Sequence, residues 1–341
     1  MVTTTERIIV DRPGGPKRLR LCSVPLPEPE PGEVRIRVES AGVAFADIMV
    51  REGRYPGVRA PVTPGYDFVG RVEALGQGVN RLAVGARVGS LIVTGGYARH
   101  VVISADDVVA IPESLEGGAA VSLILNYVTA WQMLWRNTAL AEGDTALVHG
   151  AAGGVGTALL ELCRLRGVRT IGTASPSKHD MVLERGGLPL DYRSEDFAAI
   201  ARRETGGKGV DAVFDHLGGA HLLRSYAALK PTGVLVSYGG LSAFRGGRTS
   251  LSSGLGMLFG QPRFTALKLL LDNRNIVGFD IAGRRRARPD WFASDLLELA
   301  ALAEAGRIVP AIAARFPLHD ARRAHEMLGA GEVRGKIILD A

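Results

Sequence analysis

The fold of this chain is decided by the stretch Leu147-Val148-His149-Gly150-Ala151-Ala152-Gly153-Gly154-Val155-Gly156, in which an apolar run ends in a cluster of glycines. A helix-compatible segment, residues 157–166, follows at once. This order predicts a buried strand that turns into a helix whose first backbone N–H groups face a pyrophosphate. The spacing Ala151-x-Gly153-x-x-Gly156 matches the dinucleotide fingerprint, with alanine at the first glycine position. The motif lies in the middle of the chain and not at its start.

Length and composition bound the class of protein. The 341 residues can form about two domains, and 46% hydrophobic with 22% charged residues is typical of a globular chain. The first residues lack the apolar core of a signal peptide, and no window approaches the ~18 apolar residues of a membrane helix. The two cysteines, Cys22 and Cys163, exclude a disulfide scaffold and a four-cysteine zinc site. We expect a cytoplasmic protein without a membrane span.

The net charge of +6 and the pI near 9.5 raise the question of an anionic partner. Most basic residues are scattered, and the densest run is Arg284-Arg285-Arg286-Ala287-Arg288. This run is interpreted as a solvated loop or, alternatively, as a contact to an anionic partner. Because no aromatic residues interleave with the basic ones as in single-strand binders, no nucleic-acid partner is expected.

Three territories differ in the spacing of their predicted elements. Residues 1–125 contain short strand-like runs separated by Gly and Pro clusters, which predicts a compact β-barrel-like domain. In residues 126–270 strand-like runs alternate with helical stretches, which predicts a doubly wound, parallel α/β sheet. Residues 271–341 return to the pattern of the first territory. The sequence thus predicts a dinucleotide-binding domain inserted between two parts of a β-rich domain.

The residues after the second predicted strand of the α/β domain indicate which dinucleotide binds. An NAD site usually has a carboxylate there for the ribose 2′-OH, whereas residues 170–179 contain none. Thr173, Ser175 and Lys178 lie where a 2′-phosphate would be held, and Tyr192 is predicted beside it. Lys178 could alternatively be an ordinary surface residue of a helix. The pattern favours NADPH.

The combined motifs resemble the medium-chain dehydrogenase/reductase superfamily. Within it, residues 42–49, 51–56 and 61–70 are similar to the zinc-independent quinone oxidoreductases of the zeta-crystallin group. Residues 126–131 and 173–179 are more similar still to homologues of the vesicle amine transport protein, and the match extends through 275–280 and 335–340. The resemblance implies a Rossmann domain inserted in a GroES-like catalytic domain. It also implies a homodimer that forms through the edge strand at 275–279.

The resemblance assigns roles to residues beyond the fingerprint. It implies that Tyr55 orients the substrate or donates a proton, that Asn126 binds substrate or ribose, and that Thr129 contacts the nicotinamide. Tyr55 could instead be a loop aromatic, and Thr129 a helix-capping threonine. The other expected cofactor contacts are Ala152, Gly153, Gly154, Val155, Leu217, Tyr238, Gly239 and Lys336. The expected substrate pocket consists of Phe45, Asp47, Tyr66, Met257 and Phe259.

Two of these expectations also have structural alternatives. Asp47 could close a turn through backbone hydrogen bonds. Phe259 lies in an apolar, glycine-rich segment, residues 251–260, and could pack under a loop instead of lining a mobile lid.

The same comparison argues against catalytic zinc. Zinc alcohol dehydrogenases carry a Cys and a His where this chain has Ala44 and Tyr66, and neither of these is a zinc ligand. An enzyme without a Lewis acid is better suited to the reduction of a quinone or an α,β-unsaturated carbonyl compound than to the oxidation of an alcohol. Quinone oxidoreductases usually have Asn at the position of Ala44. The loss of this amide group would widen the pocket or lower the activity. An alternative hypothesis is therefore an NADPH-binding, largely non-catalytic interaction protein associated with membranes or RNA.

Overall fold

The structure is a computed structural model that describes residues 3–239 and 262–341. The chain divides into a first unit, Met1–Val128 with Arg285–Ala341, and a second unit, Thr129–Arg284. The predicted insertion of an α/β domain into a β-rich domain is therefore confirmed. The return to the first unit comes at residue 285 and not at 271, because a strand at residues 275–278 pairs with the sheet of the second unit.

The strands of the described residues follow one another along the chain. They are β1 (Thr4–Val10), β2 (Leu19–Pro25), β3 (Glu33–Val43), β4 (Asp67–Leu75), β5 (Arg87–Leu91), β6 (His100–Ser104), β7 (Val109–Ala110), β8 (Thr145–His149), β9 (Arg169–Ala174), β10 (Gly187–Asp191), β11 (Val210–Asp215), β12 (Leu229–Ser237), β13 (Asn275–Gly278), β14 (Ile312–Pro317) and β15 (Lys336–Asp340).

The helices of the same residues are mostly short. They are α1 (Phe45–Arg51), α2 (Gly117–Ser122), α3 (Val128–Asn137), α4 (Gly154–Leu165), α5 (His179–Glu184), α6 (Phe197–Glu204), α7 (His221–Ala227), α8 (Ala266–Asp272), α9 (Ile281–Ala287), α10 (Pro289–Glu304) and α11 (Ala321–Ala330). A π-helical turn, Leu123–Tyr127, joins α2 to α3. Single 3-10 turns lie at Pro16–Arg18, Ala105–Asp107, Pro176–Lys178 and Leu318–Asp320.

The first unit is built on a seven-stranded sheet. Its strand order is β14-β15-β3-β4-β5-β7, β6 also pairs with β3, and β1 and β2 form a separate hairpin. The alternation in β3 explains the sheet, since Val34, Ile36 and Val38 are buried while Arg35 and Arg37 are not. Strand β15 lies between β14 and β3, so this sheet joins strands that are almost 300 residues apart in the chain, as in the pairing of Ile337 with Val43.

The second unit contains one parallel sheet of six strands. Their order is β10-β9-β8-β11-β12-β13, which places the first strand of the domain at the centre and reverses the direction of winding between β8 and β11. All five residues of β8 are buried, as expected for a strand covered on both faces. In such sheets ligands bind at the carboxyl ends of the strands, at the point where the winding reverses.

The basic run lies partly in a helix. The expectation of a loop was wrong, since α9 extends through Ala287. Arg285 binds the carboxylate of Asp107 at 2.9 Å, and Arg288 pairs with Asp290 and lies over the ring of Trp291. These ion pairs reduce the positive charge that the run presents to an anionic partner. No helix among the described residues has the length and apolar character needed to cross a membrane.

Candidate functional site

The glycine turn lies at the carboxyl end of β8, where the topology predicts a ligand. Gly150 has φ +64°, a conformation that favours glycine, and Gly153 is the N-cap of α4, which has no side-chain capping bond. A Cβ on Gly156 would overlap the carbonyl oxygen of Gly150, so only glycine permits this close approach of helix and turn. The unfilled N–H donors of the first helical turn suit the pyrophosphate of a dinucleotide. The donor set therefore fits the predicted cofactor.

The end of β9 carries the residues predicted to hold a 2′-phosphate. Thr173 is buried in the strand, Ser175 follows it, and Lys178 ends a 3-10 turn in a half-buried position. The hydroxyls of Ser175 and Ser177 lie 3.4 Å apart. Hydroxyl and ammonium donors thus follow the strand end, and no carboxylate lies within β9 itself.

A carboxylate on the neighbouring strand was not predicted. Asp191, at the end of β10, is in register with Ala174 at the end of β9. Its oxygens accept hydrogen bonds from the Arg193 N–H at 3.1 Å and the Ser194 hydroxyl at 2.7 Å. Tyr192 is 42% exposed, and the guanidinium of Arg193 lies 5.5 Å from its ring centroid. Applying the same strand-end rule to β10 would have identified this carboxylate.

The predicted contacts after β11 and β12 come together around His216. A Cβ on Gly150 would lie 2.5 Å from the His216 ring, and the rings of His216 and Tyr238 are 5.9 Å apart. A Cβ on Gly239 would overlap the His216 carbonyl oxygen. Leu217, half-buried, is the next residue in the chain. The structure therefore gathers Leu217, Tyr238 and Gly239 near the glycine turn.

Thr129 lies inside a helix and does not cap one. It is the second residue of α3, directly after the π-helical turn, so the helix-capping alternative was wrong. The side chain is 4% exposed, and its Oγ1 has no hydrogen-bond partner among the described residues. A buried hydroxyl without a partner calls for a ligand or another polar group. Asn126 is buried within the π-helical turn, a feature that often marks functional sites.

The first unit brings two predicted tyrosines together. The hydroxyl oxygens of Tyr55 and Tyr66 lie 2.9 Å apart, and their rings are 6.0 Å apart at 65°. Tyr66 is 3% exposed and Tyr55 is half-buried, so Tyr55 is the more accessible phenol of the pair. The backbone beyond β5 contacts this pair, since the Val93 N–H donates to the Tyr66 carbonyl at 3.3 Å. Val93 has φ 71°, a strained conformation for a branched residue that sequence patterns do not reveal.

Asp47 lies beneath the segment that carries Tyr66. Its Oδ2 accepts the Ala44 N–H at 2.8 Å and its Oδ1 accepts the Gly65 N–H at 2.9 Å. Burial raises the pKa of Asp47 to about 7, although the two hydrogen bonds act to lower it. The side chain is 0% exposed, which places it inside the unit and not on the wall of a substrate pocket. The bonds match the alternative in which Asp47 closes a turn. Phe45, next to Ala44, begins α1 and is half-buried.

Lys336 takes part in a buried ion pair. Its Nζ lies 2.8 and 3.1 Å from the two carboxylate oxygens of Asp67, and the side chains are 2% and 0% exposed. A Cβ on Gly42 would overlap the end of the Lys336 side chain. Since the ammonium has its partner inside the first unit, this geometry gives no support to a cofactor contact.

A second buried polar group in the first unit was not predicted. His325 Nε2 lies 3.1 Å from the Tyr97 hydroxyl, and His325 Nδ1 lies 3.2 Å from an Arg51 nitrogen. Burial, helped by the charge of Arg51, lowers the pKa of His325 to about 3. The neutral imidazole thus links α1 to α11. His325 lies on the buried face of α11 with Ala321 and Ala324, but its partners lie more than 200 residues away in the chain.

One cluster of potential metal ligands and two predicted pocket residues remain to be placed. In the part of the chain that the structure describes, three potential metal ligands cluster at His149, Asp215 and His221 in the second unit. Their nearest polar atoms are engaged in hydrogen bonds. Met257 and Phe259, predicted for the substrate pocket, lie outside the described residues.

Comparisons with known proteins agree with this architecture. A family profile described as an alcohol dehydrogenase GroES-like domain matches residues 30–113, and one described as a zinc-binding dehydrogenase matches residues 187–339. The synaptic vesicle membrane protein VAT-1 homolog of Rattus norvegicus is 36% identical over 331 residues, which cover 96% of this chain and 81% of the relative.

Solved structures extend the match to the whole fold. Escherichia coli quinone oxidoreductase complexed with NADPH has a TM-score of 0.87 at 26% identity, covering 98% of this chain and 100% of that one. A mycobacterial protein complexed with NADPH has a TM-score of 0.86 at 31% identity, also covering 98% and 100%. This chain belongs to the quinone oxidoreductase group of medium-chain dehydrogenases/reductases. The predicted family is confirmed, and members of this group are oxidoreductases.

Proposed function

We propose that this protein is an NADPH-dependent reductase that transfers a hydride to a quinone or an α,β-unsaturated carbonyl compound without catalytic zinc. One observation carries the proposal. Where zinc alcohol dehydrogenases have a histidine ligand, this chain has Tyr66, whose hydroxyl is hydrogen-bonded to that of Tyr55. Ala44, at the position of the cysteine ligand, offers no donor atom.

The cofactor side of the proposal rests on the second unit. The glycine turn and α4 offer N–H donors for the pyrophosphate, and Thr129 offers a buried hydroxyl for the nicotinamide amide. Ser175 and Lys178 favour a 2′-phosphate. NADPH is also the molecule named with the two structural neighbours described above. When bound, NADPH supplies the hydride.

The acceptor side rests on the two phenols. As a carbonyl acceptor is reduced, negative charge develops on its oxygen, and a preorganised O–H donor stabilises that charge. Tyr55, the more exposed phenol, donates to the acceptor oxygen, while Tyr66 donates to the Tyr55 oxygen. The inner hydrogen bond makes Tyr55 a stronger donor, since hydrogen bonds in series polarise one another. A neutral phenol suits an electron-poor acceptor that needs no Lewis acid.

The test is NADPH oxidation by the purified protein with p-benzoquinone and with cyclohexenone. Cyclohexanone is the matched control, because it lacks the conjugated double bond. We expect turnover with a quinone or an enone, little with cyclohexanone, and no loss of rate after zinc chelation. Loss of rate on chelation would contradict the zinc-free mechanism. Tight NADPH binding without turnover of any acceptor would instead favour the non-catalytic interaction protein.

A further inference from the structure

A buried hydrogen-bonded network lies under the glycine turn in the second unit. Its centre is Asp215, the last residue of β11, which is 0% exposed. One carboxylate oxygen accepts the Ser225 hydroxyl at 2.6 Å and the His221 Nδ1–H at 2.7 Å. The other accepts the N–H groups of Leu217 at 2.8 Å and Gly218 at 3.0 Å. Burial alone would raise the pKa of Asp215, but these donors outweigh it and hold the pKa well below its usual range.

The direction of each remaining hydrogen bond follows from that carboxylate. Because Ser225 gives its proton to Asp215, its Oγ accepts from His149 Nε2 at 3.1 Å. His149 then has a lone pair on Nδ1, which accepts the Thr173 hydroxyl proton at 3.2 Å. Burial lowers the pKa of His149 to about 3, so the ring stays neutral. Thr173 Oγ1 is left as an acceptor, and it receives the Gly150 N–H at 3.2 Å.

We propose that Asp215, acting through Ser225 and His149, is a positioning residue for NADPH, because it orients the Thr173 hydroxyl that holds the glycine turn. This inference rests on the proposed function, since it concerns the cofactor of that reaction. Thr173 holds the turn twice, through its hydroxyl to Gly150 and through its carbonyl oxygen to the Ala151 N–H at 3.0 Å.

The position of the network explains why one carboxylate can organise the cofactor site. His149 ends β8, Thr173 lies near the end of β9, and Asp215 ends β11. These three strands are adjacent, and their carboxyl ends form the ligand-binding edge of the sheet. If these residues served only to fill the interior, apolar side chains would do so at a lower cost in free energy. A buried polar network is stable only when every member has a partner.

Two variants remove one hydroxyl each, and a third provides the control. Ser225→Ala cuts the link between His149 and Asp215. Thr173→Val cuts the link to Gly150, and Thr170→Val makes the same substitution at a buried site near the other end of β9. The dissociation constant of NADPH is measured by titration calorimetry without an acceptor. The tautomer of His149 is read from ¹⁵N NMR, with assignment by a His149→Gln variant.

The wild-type protein should bind NADPH and show His149 protonated on Nε2. Ser225→Ala and Thr173→Val should each weaken NADPH binding about tenfold, as expected when one buried hydrogen bond is lost, while Thr170→Val should stay within about twofold. Ser225→Ala should also shift His149 toward the Nδ1–H tautomer. If Ser225→Ala does not fold, the comparison of Thr173→Val with Thr170→Val decides.

Two results would overturn the positioning role. One is folded Ser225→Ala protein that binds NADPH as tightly as wild type. The other is an equal loss in Thr170→Val and Thr173→Val, which would reflect general loosening of β9. Absence of NADPH binding in the wild-type protein is a different result, because it would refute the proposed function itself.

Discussion

At the scale of single residues, the two phenols of the first unit carry different expected roles. Tyr55→Phe removes the group that donates to the acceptor, and we expect the turnover number to fall by about 10²-fold, the lower range for a lost proton donor. Tyr66→Phe removes the hydrogen bond that supports Tyr55, so a fall of about tenfold is expected. Steady-state kinetics and NADPH titration check this. Equal losses in both variants, or weaker NADPH binding, would contradict the assigned order.

Lys178 is the residue on which the preference for NADPH depends most directly. Lys178→Ala should weaken NADPH binding by about 10- to 100-fold, since a charge-assisted hydrogen bond to phosphate is lost, and should leave NADH binding nearly unchanged. The control is Lys208→Ala, which changes an exposed lysine of the same unit. A similar loss for both cofactors in Lys178→Ala would show that Lys178 does not bind the 2′-phosphate.

Asp47 should make the stability of the protein depend on pH. Burial raises its pKa from 3.8 to about 7 in the folded protein, so the folded state binds the proton more tightly than the unfolded state. The stabilisation is complete below about pH 4 and is lost as pH rises through 7, at about 1.4 kcal/mol per pKa unit.

The measurement compares urea unfolding of wild type and Asp47→Asn between pH 5 and pH 8. Asparagine does not titrate, so the advantage of the wild-type protein should be greatest at pH 5 and should shrink toward pH 8. Asp106→Asn, at an exposed position, provides the baseline. A difference that stays constant with pH would exclude Asp47 as the titrating group.

Residues of this kind show where sequence reasoning stops. Asp47 and Tyr55 were identified because they lie in motifs, and the structure added their partners. The partners of His149, by contrast, are Thr173 and Ser225, which lie 24 and 76 residues further along the chain. No local pattern encodes such separations.

At the scale of elements, we expect alanine substitutions at two glycines of the turn between β8 and α4 to have effects of different size. Gly156→Ala places a methyl group on the Gly150 carbonyl, so we expect the free energy of unfolding to fall by about 1–3 kcal/mol and NADPH binding to be lost. Gly153→Ala meets only the Gly150 oxygen, at 3.3 Å. This second variant should keep its stability and bind NADPH more weakly. Thermal melts and titrations separate the two effects, and equal stability of both variants would argue against close packing at Gly156.

For most elements the sequence predicted whether they are helices or strands, but it did not predict which elements they pair with. Alternation of apolar runs with helical stretches was sufficient to predict a parallel sheet. Residues 275–278 read as a strand on their own, but only pairing with β12 assigns that strand to the second unit. The successive arginines of the basic run predict a loop because they show no apolar periodicity. The helix α9 nevertheless forms, and it begins with the buried Ile281 and Ala282.

At the scale of the whole molecule, β13 presents a free edge among the described strands of the parallel sheet. An edge with unpaired N–H groups favours pairing with a second copy, and we predict a homodimer through this strand. The Phe279 N–H donates to Ser237 in β12, so the N–H of Gly278 points to the open side. A Cβ on Gly278 would meet no atom.

Gly278→Pro should therefore give a monomer, because it removes the outward N–H and leaves the bond to β12 in place. Gly278→Ala keeps that N–H and should remain dimeric. Sedimentation equilibrium distinguishes the two states. A dimeric proline variant with an unchanged association constant would place the dimer contact elsewhere.

The position of β15 has a consequence for the order in which the protein can form during synthesis. The second unit, Thr129–Arg284, is one continuous segment and is complete once it leaves the ribosome. The first unit must wait, because its sheet needs β15 beside β3. Until then the edge of β3 is open and Asp67 lacks Lys336. A nascent chain that stops before residue 336 should therefore hold a folded second unit and an aggregation-prone first unit, so β15 should determine the yield of folded protein.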